Sequence, residues 1–243
     1  MTAAAHHPAR GLVPRPVRKA ALRVAGTVVG AETDEELVGL TFDDGPDPVE
    51  SDRLVAALDR AGERATFFLL ARRAEMHPDV VARIAAAGHE IGLHGDDHAR
   101  LGNASLREAV RVIHRGKRRL ERVLGAPVTL FRPPGGEQTP VSLMLARATG
   151  MRVVHWSATA EDWLDLGRDE LVRRGMSGLG PGGILLLHER FEPDPRAPSP
   201  APDVNRVELL ERLLAALDGR GWRALPVGEL LHGRRPRHAV WFT

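Results

Sequence analysis

Residues 37–70 read LVGLTFDDGPDPVESDRLVAALDRAGERATFFLL. The stretch opens on a short apolar run, Leu37–Asp43, passes through an amphipathic helical pattern over 51–62, and returns to a second apolar run, Ala65–Leu70. Ser51 or Asp52 stands where a helix cap belongs, and Gly62 where a helix stops. Both runs are continuous in apolarity rather than alternating, which marks strands covered on both faces. The unit reads as strand, helix, parallel strand.

The same rhythm continues along the chain. Further apolar runs lie at Glu90–His94, Val128–Arg132, Arg152–Ala158, Gly183–His188 and Trp222–Val227, which makes seven in all. Helical patterns separate them. One covers 77–88 and ends at Gly88. Ser105-Leu-Arg-Glu108 is a capping box that opens a long helix to about residue 124, before Gly125. Thr139-Pro140 supplies a cap and a first-turn proline for the next, and Asp203 to Leu217 gives the last. Seven strands alternating with helices imply a single-domain α/β fold with a parallel sheet. No Gly-rich nucleotide loop follows the first strand, so a closed or nearly closed barrel fits better than a doubly wound sheet. Residues 190–203 hold five prolines and form a loop. The expected domain spans 37–231, with a flexible or loosely packed extension at 1–36 and a tail at 232–243.

Composition narrows the function. The chain has 243 residues and no cysteine, which excludes disulfides, thiolate metal sites and a cysteine nucleophile. The pI of 9.8 looks basic, but Lys and Arg total 34 against 32 Asp and Glu, a net charge of +2. With no Tyr and only Lys19 and Lys117, almost nothing titrates between neutrality and the arginines, so a small excess carries the pI upward. No nucleic-acid partner is expected; the Arg-rich stretch 111–119 reads as a solvated helix face. No run reaches the roughly 18 apolar residues of a membrane span. Arg23 interrupts the weakly apolar part of the N-terminus, a poor signal-peptide core, which favours the cytoplasm over secretion or surface display. Nothing specifies an oligomeric state.

Polar residues collect at the carboxyl ends of the strands, which share one face in a parallel barrel. Asp43 and Asp44 end the first, His94 the third, Arg132 the fourth and His188 the sixth; Asp162 and Trp163 follow the fifth. Each has a plainer reading as well. Asp-Asp-Gly-Pro is good turn chemistry. His94 and His98 share one face if helical, yet 11 histidines produce such a pair by chance easily. Arg132-Pro-Pro-Gly-Gly136 reads either as a loop with a surface Arg or as a site where a guanidinium orients a carboxylate and the glycines admit a ligand. His188 is a core-edge histidine or a proton carrier. Two histidines and one aspartate would make a three-ligand metal set with positions left open, the layout of a catalytic metal.

In order, Thr41-Phe-Asp-Asp-Gly-Pro46, His94-x-x-x-His98, Arg132-Pro-Pro-x-Gly136, Asp162-Trp163 and Leu186-Leu-His188 resemble the five motifs of the polysaccharide deacetylase family, carbohydrate esterases with the NodB-homology fold. The resemblance covers about residues 37–230. It implies a distorted (β/α) barrel, a divalent metal (zinc first, cobalt or nickel as substitutes), and hydrolysis of N-acetyl groups on amino sugars of a chitooligosaccharide or peptidoglycan type. By position it implies Asp43 as general base, Asp44, His94 and His98 as metal ligands, and His188 as general acid. Arg132 would hold Asp43, and Asp162 would tune His188. Gly135 would offer an oxyanion N–H, while Trp163, Leu186 and Pro134 would line the acyl and sugar site. Three positions depart from the family pattern: Gly95 replaces a loop-bracing Ser or Thr, Gly135 a common aromatic, and Thr159 an acid. A deacylase acting on an O-acetyl ester or a non-sugar amide, and a catalytically silent glycan-binding domain, are the alternatives.

Overall fold

The computed structural model describes residues 26–193 and 200–242. Residues 1–25 of the expected extension, the centre of the Pro-rich loop at 194–199, and Thr243 lie outside the described residues. In chain order the elements are β1 (Thr27–Glu32), β2 (Leu37–Gly45), α1 (Glu50–Ala61), β3 (Thr66–Leu69), α2 (Ala71–Met76), α3 (Pro78–Ala86) and β4 (Glu90–Leu93). Then follow α4 (Leu106–Val110), a π-helical turn (Arg111–Arg115), α5 (Gly116–Leu124), β5 (Leu130–Phe131), a 3-10 turn (Pro134–Gly136), α6 (Pro140–Ala148), β6 (Arg152–Val153) and β7 (Ala158–Thr159). The chain ends with α7 (Arg168–Met176), β8 (Ile184–His188), α8 (Arg206–Asp218), β9 (Arg223–Leu225), α9 (Val227–Leu230) and β10 (Arg235–Ala239).

The helix ends follow local chemistry. Gly62 sits at φ 67°, and Glu63 N–H returns to Leu58 O at 3.0 Å, closing α1. The start of α1 differs from expectation. Asp47 Oδ1 accepts from the N–H groups of Val49 and Glu50, both at 3.0 Å, while Ser51 is fully buried and turns its hydroxyl inward. The capping box stands: Ser105 Oγ accepts from Glu108 N–H at 3.3 Å and Glu108 Oε2 from Ser105 N–H at 2.9 Å. Thr139 caps α6 in the same manner, with Pro140 in the first turn. The last helix, α8, starts at Arg206 rather than Asp203, and Asn205 caps it. The six-residue α2 has no capping side chain and left no signature in the sequence.

One curled parallel sheet runs in the order β6-β5-β4-β3-β2-β8-β7, with β9 paired to the start of β2. The single run expected over 152–158 is cut in two. Its first half, β6, pairs with β5 at one end of the sheet, and β7 pairs with β8 at the other. The break falls where His155 N–H donates to Val28 O at 2.7 Å, so the barrel stays open between β6 and β7. β1 lies across that gap, bridged to Val154 on one side and Gly183 on the other, and pairs antiparallel with β10. Residues 27–32 and 235–239, expected in a loose extension and a tail, therefore form a ribbon. Its physical reason is the row of backbone groups that an unclosed sheet leaves unpaired.

Alternation along the strands divides the core. Leu40, Phe42, Phe67, Leu69, Leu185 and Leu187 join the large cluster with the helices. Phe68, Leu130, Val154 and Ile184 form a second cluster with Val28 of β1 and Val227 and Leu230 of α9. Thr41 and Asp43 fall on the face opposite to Phe42, and the β2–β8 register sets Asp43 beside His188.

Candidate active site at the strand tips

Asp43 is 3% exposed at the tip of β2, and its Oδ1 accepts from Arg132 Nη1 at 2.8 Å. Successive strand residues point to opposite faces, so a second carboxylate needs a break in that rule. Asp44 provides it: φ is 73°, a left-handed conformation that aspartate tolerates better than most residues. Its Oδ1 stands 3.4 Å from both His94 Nε2 and His98 Nε2. The other oxygen accepts the N–H of Glu192 at 3.0 Å, where the Pro-rich loop begins. Burial alone would raise the Asp44 pKa, but the facing imidazoles hold it well below the ordinary carboxylate range.

His94 follows β4, and its Nδ1 lies 2.9 Å from Arg132 O. A carbonyl can only accept, so Nδ1 donates to it, and Nε2 is the ring atom that faces Asp44. His98 is not on a helix with His94. Residues 94–104 form an irregular loop, and the loop rather than a 3.6-residue period brings the two rings within 5.5 Å. Burial pushes the His98 pKa down, against the pull of Asp44, which favours the neutral ligating form.

Donor atoms of Asp44, His94 and His98 all lie within 4.8 Å of one another. Asp44 Oδ1 is buried and accepts no hydrogen bond among the described residues, a costly state unless something else engages it. One carboxylate oxygen and two imidazole nitrogens are a donor set that suits zinc and similar divalent ions. The three residues fit a metal on these grounds.

Arg132 is fully buried, not a surface residue. Nη1 donates to Asp43 Oδ1 and to Thr41 Oγ1, each at 2.8 Å, and Nη2 to His155 O at 3.0 Å. The Phe68 ring covers the guanidinium at 4.2 Å. Burial lowers its pKa, yet a guanidinium stays charged. In the sequence Thr41 has a place in the first motif but no role, although the two-residue alternation puts it on the face of Asp43, and His155 has no signal. His155 is itself buried, with its pKa pushed down to about 3 by burial, and its Nε2 approaches Gly136 O at 3.2 Å.

His188 ends β8. Asp162 engages it twice, Oδ1 at 2.7 Å from Nδ1 and Oδ2 accepting its backbone N–H at 2.9 Å. Burial pulls the His188 pKa down, but the Asp162 carboxylate, aided by Asp44 and Asp43, carries it up to about 9. Arg206 of α8 donates to Asp162 Oδ2 at 3.0 Å, a contact with no sequence signal because the Pro-rich loop separates the partners. Trp163 meets the His188 ring edge-on at 5.4 Å. Leu186 is 2% exposed and opposite both Thr41 and Thr159 in the sheet. Pro134 and Gly135 lie in the 3-10 turn, Gly135 at φ 61°. The space a side chain at 135 would enter is filled by the Arg100 guanidinium, whose Nε is 3.1 Å from an ideal Cβ, so the missing aromatic does not simply widen the site.

Glu189 also went unnoticed in the sequence. It is fully buried, takes a short hydrogen bond from Ser51, and occupies the position that a Cβ on Gly45 would need. Burial first, then the nearby Asp47 and Asp44 carboxylates, push its pKa up to about 8.

The chain's sequence matches the family model "Polysaccharide deacetylase" over residues 30–154. A peptidoglycan-N-acetylglucosamine deacetylase of Bacillus cereus is 31% identical over 82% of this chain and 89% of its own length. A chitooligosaccharide deacetylase of Sinorhizobium fredii is 33% identical over 82% and 95%. The chain spans only 41% of a Bacillus subtilis peptidoglycan-N-acetylmuramic acid deacetylase, to which it is 28% identical over 86% of its own length. Among solved structures, a peptidoglycan N-acetylglucosamine deacetylase superposes with a TM-score of 0.78 at 27% identity, covering 90% of this chain and 99% of that one. A pseudoenzyme of carbohydrate esterase family 4 from Bacillus anthracis shares the fold alone, with a TM-score of 0.75 at 24% identity over 85% of this chain and 69% of that one. Strand-tip geometry, fold and sequence agree, and the chain belongs to the polysaccharide deacetylases, the enzymes of carbohydrate esterase family 4.

Proposed function

We propose that the protein is a metal-dependent hydrolase that removes N-acetyl groups from amino sugars in an oligo- or polysaccharide of the chitooligosaccharide or peptidoglycan type. One observation carries the reading. The Asp44, His94 and His98 donor set, with a carboxylate oxygen that has no hydrogen-bond partner among the described residues, is flanked by Asp43 of β2 paired with Arg132 and by His188 of β8 paired with Asp162. The substrate class follows the peptidoglycan and chitooligosaccharide deacetylases to which the chain is similar.

A divalent cation, zinc first and cobalt or nickel as substitutes, would supply Lewis-acid polarisation and acidify water near neutral pH. Every other task falls to side chains. Arg132 fixes Asp43 by one oxygen, while the other lies 3.7 Å from His94 Nε2 and faces the donor set. From there Asp43 takes a proton from the attacking water. His188 is cationic at neutral pH, and with Nδ1 held by Asp162 its Nε2–H is the ring's other donor. It protonates the departing amine, which otherwise leaves as an unfavourable anion. The Gly135 N–H is the assigned partner of the oxyanion, with Trp163, Leu186 and Pro134 as walls of the acyl and sugar site.

A silent glycan-binding domain would lack a base, a ligand or the acid, and all five residues are present. The test is acetate release from N-acetylated chitooligosaccharides and peptidoglycan fragments, measured as purified, after chelation, and after zinc is restored. Asp43→Asn should keep the metal and lose about 10²- to 10⁴-fold in kcat. Full activity in that variant, or after chelation, defeats the reading.

A further inference from the structure

The loop 94–104 carries two of the three proposed ligands but has no helix or strand of its own. His94 is steadied by the end of β4 and by the bond from Nδ1 to Arg132 O. His98 lacks that second hold: its Nδ1 is buried with no hydrogen-bond partner among the described residues. Outer partners normally orient a ligating imidazole. The position of His98 therefore depends on whatever fixes the loop backbone between the two histidines.

Asp96 sits at the middle of that segment and is 2% exposed. Arg72 of α2 donates Nε to its Oδ2 at 3.0 Å, and Arg119 of α5 donates Nε to its Oδ1 at 2.9 Å. Arg111, in the π-helical turn, reaches Asp97 Oδ2 at 2.5 Å and stands 3.7 Å from Asp96 Oδ2. The backbone is gripped as well, since Ala71 and Arg72 N–H groups donate to Gly95 O at 2.9 Å and Asp96 O at 3.0 Å. Gly116 lets the helix close on the loop; a Cβ there would lie 2.8 Å from Asp96 N. Four guanidiniums, those of Arg72, Arg111, Arg119 and Arg122, face Asp96, Asp97 and Glu75, and each lies within 4.0 Å of a carboxylate oxygen, so the cluster is a brace rather than an anion site.

We propose that Asp96, clamped by Arg72 and Arg119, is the positioning residue that sets His98 relative to Asp44 and so determines metal affinity. The inference rests on the metal reading above. The full-length chain is stripped with chelator and titrated with Co²⁺, followed by visible absorption, with the thermal midpoint of each metal-free protein measured in parallel. Asp96→Asn should weaken Co²⁺ binding by about 10- to 100-fold and alter the absorption envelope. Should Asp96→Asn fail to fold, Arg72→Gln decides, because Arg72 is 55% exposed and its replacement removes one strut; a several-fold loss is expected. Asp79→Asn, a surface change 68% exposed, should bind like the parent. Unchanged Co²⁺ affinity in both brace variants overturns the proposal. So does a loss matched by an equally destabilised core variant such as Leu213→Ala. A parent protein that binds Co²⁺ yet deacetylates nothing defeats only the functional reading; one that binds no Co²⁺ defeats both.

Discussion

Asp162→Asn isolates the proton-donor half of the chemistry. His188 is lifted to about 9 although its side chain is only 14% exposed, because Asp162 meets both its ring and its backbone N–H. Burial remains in the variant and pulls downward, so His188 should return to or below its ordinary value. A fall from about 9 to 6.5 corresponds to about 3 kcal/mol between the two protonation states. At pH 7.5 the acid would pass from almost wholly protonated to about one tenth, costing at least about tenfold in kcat/KM there. The alkaline limb of the pH profile should move from near 9 toward 6.5 or lower. Stability carries the same sign. A cationic His188 stabilises the native chain fully below pH 6.5, and that contribution fades as pH rises through about 9. The assay is kcat/KM for acetate release between pH 6 and 10, with unfolding of metal-free protein at pH 7 and 10 alongside. An alkaline limb that stays put in a folded variant refutes the assignment of His188 as an acid held cationic by Asp162.

Arg132→Ala removes a buried partner from Asp43 and should cost about 3–5 kcal/mol in urea unfolding, together with activity; a loss under 1 kcal/mol would deny the pair its structural role. Glu189 holds a proton in the fold up to about pH 8 that the unfolded chain releases near 4.5, so the parent should lose stability as pH rises between those values. Glu189→Gln should flatten that decline in thermal midpoints measured from pH 5 to 9 without metal, and parallel curves would rule the idea out. Zinc at 100 times its Kd should stabilise the metal-free protein by about 2.7 kcal/mol. Chelation should abolish acetate release, with the metal content and the activity returning together when zinc is restored.

Much of this architecture was legible before folding was considered. Continuous apolar runs at 37–43, 65–70, 90–94 and 183–188 announce strands covered on both faces, and the Ser105 and Thr139 caps mark helix starts, because capping and periodicity act over a few residues. The ordered motifs from Thr41 to His188 disclose the family and name candidate side chains one at a time. Tertiary structure decided what depends on distant partners. The run over 152–158 divides between the two ends of the sheet because the sheet does not close, and β1 and β10 find a use only in that gap. His94 and His98 meet through a loop pinned by arginines from α2 and α5, not through helical spacing. Arg206 reaches Asp162, and Glu192 reaches Asp44, across separations of 44 and 148 residues. Local propensity is written residue by residue along the chain, whereas the hydrogen bonds and ion pairs that aim a site exist only once the sheet has brought its strand tips together.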